Sequence, residues 1–69
     1  MQTLNWQDHI AADPAVLAGK PCIKGTRISV ELILGWLANG WTIEMIMESY
    51  PNITRENILA AIAYTSDSR

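Results

Sequence analysis

One arrangement of polar and apolar positions recurs along the chain. Ile28-Ser29-Val30-Glu31-Leu32-Ile33, Trp41-Thr42-Ile43-Glu44-Met45-Ile46 and Ile53-Thr54-Arg55-Glu56-Asn57-Ile58 each read apolar, hydroxyl, any residue, Glu, any residue, Ile. Every part has a place at the start of a helix. The hydroxyl is an N-cap that accepts a bond from an orphan backbone N–H. The Glu falls in the first turn, where its charge meets the positive end of the helix dipole. The apolar residue before the cap and the Ile four residues after it are spaced as a hydrophobic staple. The pattern predicts helices over 29–39, 42–50 and 54–65. Asn39-Gly40 suits the end of the first, and Pro51 ends the second. Links this short give a compact three-helix unit. The second and third helices, joined by Pro51-Asn52-Ile53, have the proportions of a helix-turn-helix.

Residues 1–27 lack the helical period. Asp13-Pro14 and Gly19-Lys20-Pro21 are turn signals. Cys22-Ile23 and Thr26-Arg27-Ile28 flank Lys24-Gly25, which predicts a tight hairpin, and His9-Ile10 reads as a further short strand. A lone hairpin is marginal in water, so this arm must pack on the helices or on a partner. The expected architecture is a mainly α single domain over 1–69: a β arm and turns in 1–28, then a three-helix bundle in 29–65.

The helical wheels add detail. In the first helix Val30, Ile33, Leu34 and Leu37 form one stripe, and Leu32 and Trp36 form a second beside it. With Ala38 the apolar arc covers about two-thirds of the circumference, far wider than a surface helix needs. Leu32 and Trp36 are therefore candidates for a subunit interface. In the second helix Ile43, Ile46, Met47 and Tyr50 face inward, while Glu44, Glu48 and Ser49 face out. In the third, Ile58, Leu59 and Ile62 are expected to be buried. Asn57, Ala60, Ala61 and Tyr64 lie opposite, with Arg55 and Glu56 near the start.

Size and charge then narrow the function. A core drawn from 69 residues is marginal, and chains this small usually need a staple. With one Cys and one His, neither an internal disulfide nor a zinc site can be built. Another chain is the remaining common staple, so a homodimer is expected. The N-terminus has no secretory pattern, and no apolar run approaches the length of a membrane span, so the expected location is the cytoplasm. The formal net charge of −2 argues against a strong general nucleic-acid binder. Yet Lys20, Lys24 and Arg27, three of the five cations, fall in one short segment.

Catalytic chemistry finds no constellation. Lys24-Gly25-Thr26 has the wrong order for a phosphate loop. His9 has no paired nucleophile, Cys22 reads as a small buried hydrophobe, and the carboxylates are scattered. No enzyme activity, cofactor or metal is expected.

His9-Ile10, Asp13-Pro14, Gly19-Lys20-Pro21 and Ile23-Lys24-Gly25-Thr26-Arg27-Ile28 form one block of a longer pattern. Gly40-Trp41-Thr42, Tyr50-Pro51-Asn52-Ile53-Thr54 and Ile58-Leu59-Ala60-Ala61 complete it. Together these segments resemble the bacterial and archaeal domain-of-unknown-function 433 family over about residues 9–65. The resemblance implies a homeodomain-like three-helix fold behind a short β segment. It also implies an antitoxin-like role beside a nuclease-like toxin with a PIN-type fold, with repression of the shared operon.

Two functions are thus expected. In the first, the chain is a helix-turn-helix DNA-binding regulator of a toxin–antitoxin type operon. Lys20, Lys24 and Arg27 meet operator phosphates or the minor groove, and Arg55, Asn57 and Tyr64 on the third helix face the bases, as Asn can read adenine. In the alternative, the chain is a protein-interaction module without a DNA role. The same arm then binds a neighbouring nuclease-like partner by strand addition, its cations meeting acidic groups. Arg27 also has a purely local option, pairing with Glu31 four residues on.

Overall fold

The computed structural model of the chain describes residues 5–67, and the side chains of 5–66. Within that span, two short strands, β1 (Ile10–Ala11) and β2 (Cys22–Ile23), precede three α-helices: α1 (Val30–Ala38), α2 (Ile43–Ser49) and α3 (Arg55–Asp67). The mainly helical fold with an N-terminal strand pair is the one expected. Single 3-10 turns at Trp6–Asp8 and Leu17–Gly19 flank β1.

The recurring pattern does what its chemistry requires. Ser29 Oγ accepts the N–H of Leu32 at 3.0 Å, Thr42 Oγ1 that of Met45 at 3.1 Å, and Thr54 Oγ1 that of Asn57 at 3.1 Å. Two of the caps are reciprocated. The N–H of Thr54 donates to Asn57 Oδ1, and that of Thr42 points at Met45 Sδ. The Ile that ends each copy, Ile33, Ile46 or Ile58, is fully buried, and all three belong to one core cluster. The repeat therefore sets helix starts and core positions together. α3 runs two residues beyond the expected end, through Asp67.

The arm is more compact than a projecting hairpin. β2 pairs antiparallel with β1, Ile10 opposite Ile23 and Ala11 opposite Cys22. The chain after the Lys24-Gly25 turn returns only as a bridge between Cys22 and Ser29, with the N–H of Ile23 donating to Ile28 O at 3.0 Å. The turn itself is closed by the N–H of Thr26 donating to Ile23 O at 3.0 Å. Gly25 takes φ +79 at its third position, where a glycine is favoured. Ile10 and Ile23 are buried in the main core, so the strand pair is a lid on the bundle.

That lid overturns one expected face. On α3 it is Ala60 and Ala61 that are fully buried, while Leu59 and Ile62 are each 39% exposed. The reason lies in the N-terminal segment. The 3-10 turn Trp6–Asp8 and β1 both pack on α3, and small side chains at 60 and 61 let them come close. Trp6 meets Tyr64 edge-on, with ring centroids 4.9 Å apart.

Candidate interaction surfaces

The six candidate binding residues divide into three groups. Lys20 and Arg55 each lie beside a carboxylate of the same chain, in exposed pairs. Lys20 Nζ lies 3.6 Å from Glu31 Oε1, so Glu31 takes Lys20 and not Arg27. Arg55 donates to Glu44 Oε2 at 2.6 Å, tying the start of α3 to the start of α2. This contact holds the Glu44 carboxyl below its usual range, chiefly through the Arg55 hydrogen bond.

Asn57 and Tyr64 do not form an open reading face. The Asn57 amide accepts from Thr54 N–H at one end and approaches His9 Nδ1 at 3.1 Å with the other. Tyr64 is half-buried against Trp6 and shares the lining of an apolar hollow of about 260 Å³ with the Lys20–Glu31 pair. The exposed side of α3 instead carries Arg55, Glu56, Leu59 and Ile62. A wheel drawn on one helix weighs Leu and Ile as inward and Ala and Asn as outward. It holds no information about a segment 50 positions away that needs room, so it missed this inversion.

Lys24 and Arg27 remain. Both are exposed and neither side chain bonds to any described residue. Lys24 stands on the turn, and its backbone N–H is pinned to His9 O at 2.9 Å. Thr26 holds the far side, its hydroxyl donating to Ile23 O and accepting from Ile28 N–H. The cations therefore sit on a rigid base. An open groove beside them is lined by Asp13, Val16, Gly25, Thr26 and Arg27, so one carboxylate borders the patch.

Across from this turn the backbone is strained. Leu17 and Ala18 take φ of 50 and 56, followed by Gly19 at 86. A left-handed run containing two residues with side chains costs about 1–2 kcal/mol at each.

Leu32 and Trp36 differ from each other. Leu32 is 45% exposed on the outer side of α1. Trp36 is half-buried, because it stacks on Trp41 at 5.6 Å and on Tyr50 at 4.7 Å between ring centroids. This stack closes α1 onto both ends of α2, and Trp36 thereby has a role inside the monomer that the helical wheel did not show. Among the described residues there is no group of three or more His, Cys, Asp or Glu able to hold a metal. No described helix is long and apolar enough to cross a membrane.

The sequence matches the family model described as "Protein of unknown function (DUF433)" over residues 10–65. The chain belongs to this family. A DUF433 member from Anabaena variabilis ATCC 29413, known from its crystal structure, superposes with a TM-score of 0.84 at 29% identity. The superposition covers 90% of this chain and 61% of that one. An uncharacterised protein, y4eO, of Sinorhizobium fredii is 31% identical over 58 residues. Those residues are 84% of this chain but only 26% of that protein, so this DUF433 chain spans about a quarter of that relative. The matched residues take in β1, β2, α1, α2 and α3 as far as residue 65, whereas the Trp6–Asp8 turn and His9, which also meet α3, precede them.

Proposed function

We propose that this protein is an antitoxin-like interaction module. Lys24 and Arg27 would dock on an acidic surface of a nuclease-like partner encoded beside it. The observation that carries this reading is the division of the cations. Lys20 and Arg55 are matched to Glu31 and Glu44, while Lys24 and Arg27 are held out, without side-chain partners among the described residues, on a turn bonded at both ends. Cations on a fixed turn, with no side-chain partner among the described residues, give up no existing pair on meeting a carboxylate cluster, such as the metal-binding rim of a nuclease. Addition of a strand to the arm contributes less, since β1 and β2 are two residues each.

The α3 surface favours a protein contact over base reading. Its exposed side offers Leu59 and Ile62 beside a paired Arg55 and an acidic Glu56. Few groups there can bond to base edges, and Glu56 repels phosphate. A DNA role through the arm alone is the second reading. It rests on the same free cations and would be weak, salt-sensitive and mostly indifferent to sequence.

Titration of the adjacent gene product against wild type and a Lys24→Ala, Arg27→Ala double variant tests the first reading. The expected result is tight, salt-dependent binding by wild type and loss of at least tenfold in the variant, about 1.4 kcal/mol. Equal binding by the two proteins would sink it. In parallel, retention of upstream DNA at low salt tests the second. There the log–log salt slope should fall by about one per cation removed.

A further inference from the structure

We propose that the outward face of α1 is a contact between two copies of this chain, built around Gly35. At about 100° per residue, Leu32, Gly35, Trp36 and Asn39 project together, on the side away from the buried Val30 and Ile33. Gly35 sits in the middle of α1, where glycine is a poor helix former relative to alanine. Nothing among the described residues explains it. Its φ is not positive, and a Cβ built there would meet no atom within 4 Å. A missing side chain that makes no room for any described residue points to something outside the described fold. A close helix–helix approach is the simplest such demand.

The rest of the face fits that demand. Leu32 is 45% exposed. Trp36 is already immobilised by stacking on Trp41 and Tyr50, so burying its outer edge costs little rotamer freedom, as at other aromatic anchors of interfaces. The one charged residue of α1, Glu31, falls at the margin and is matched by Lys20.

The occupant is a second copy because the face carries no unpaired charge, Glu31 at its edge being matched by Lys20, and complements itself. A two-fold axis through Gly35 places glycine on glycine where the backbones are nearest, and turns Leu32 of each copy toward Trp36 of the other. No like charges are brought together. Area sets the strength. A standard interface takes about 800 Å² per partner, roughly one-sixth of this chain's 4638 Å². A nine-residue helix is only about 13 Å long. α1 alone falls short, so Trp41 and Tyr50 must extend the contact, and the dimer is in the micromolar class.

Sedimentation equilibrium over a concentration series, combined with thermal melts at a dilution where the protein is monomeric, gives a test with opposed signs. Wild type should rise from 7.7 kDa toward twice that mass. Gly35→Ala should raise the melting temperature of the dilute monomer yet weaken association about tenfold, and Gly35→Leu should abolish association. Leu32→Ser should weaken association with little change in the dilute melting temperature. A single 7.7 kDa species at the highest concentration would overturn the proposal. So would variants at Gly35 that associate like wild type, or a Gly35→Ala monomer that melts lower than wild type. None of these readings depends on the nuclease-like partner or on DNA.

Discussion

The side-chain amide of Asn57 lies 3.1 Å from Nδ1 of His9, joining positions 48 residues apart. The same amide accepts the N–H of Thr54 with its oxygen, while the backbone N–H of Asn57 donates to Thr54 Oγ1. One residue thus caps α3 and clips the N-terminal segment onto it. Asn57→Ala should destabilise the fold by about 1–2 kcal/mol, since a cap bond and a half-buried side-chain bond are lost together. His9→Ala should cost less. The double variant should cost less than the sum, because both remove the same clip. Urea unfolding of the four proteins checks this, and strict additivity would show that the clip contributes nothing.

The packing of the N-terminal segment on α3 makes an inverted pattern of tolerance. Ala60 and Ala61 are fully buried, whereas Leu59 and Ile62 are well exposed. Ala61→Leu should therefore be destabilising by about 1–3 kcal/mol, the cost of overfilling a packed core. Leu59→Gln should cost less, about 1 kcal/mol or below in the monomer, since Leu59 is only partly covered. The reverse outcome would restore the wheel-based face. Thermal melts at low concentration distinguish the two.

Ala18 holds φ 56 and ψ 34 in the turn before Lys20. Replacing it with glycine removes a steric penalty at the cost of some backbone entropy. The expected net gain is about 0.5–1 kcal/mol, seen as a higher melting temperature. Ala18→Val should do the opposite, since a branched side chain tolerates that conformation least.

Glu44 predicts a pH effect with a definite sign. Its folded value is held below the ordinary 4.5, chiefly by the hydrogen bond from Arg55. A depressed carboxyl contributes stability that is present above the unfolded value and lost as the pH falls through the folded one. Wild type should lose more stability than Glu44→Gln on going from neutral pH to below about 4. Salt should shrink the difference, because the pair is exposed. Curves that stay parallel down to acid pH would show the pair has no influence on folding.

The candidate surfaces were only partly legible in advance. The free cations Lys24 and Arg27 stand out in the chain because a Lys-Gly turn has few structural uses for charge. Arg55 did not announce its partner, as Glu44 is eleven positions away and belongs to another helix. Nor did Lys20, which takes the carboxylate that spacing assigns to Arg27. The aromatic stack of Trp36 on Trp41 and Tyr50 required knowing how α1 and α2 cross.

What the sequence by itself determined was local. Ser29, Thr42 and Thr54 start their helices because a hydroxyl reaches a backbone N–H only three residues on, and the Ile that follows each cap is carried inward by the helical turn. The chain's membership of the three-helix class follows from those short-range rules. What only the tertiary structure decided was which further side of α3 is covered, Ala60 and Ala61 rather than Leu59 and Ile62. That depends on contacts between distant segments, above all Trp6 on Tyr64 and His9 on Asn57. Helical periodicity marks a residue's angle about its own axis, and burial depends on what arrives from elsewhere to meet it.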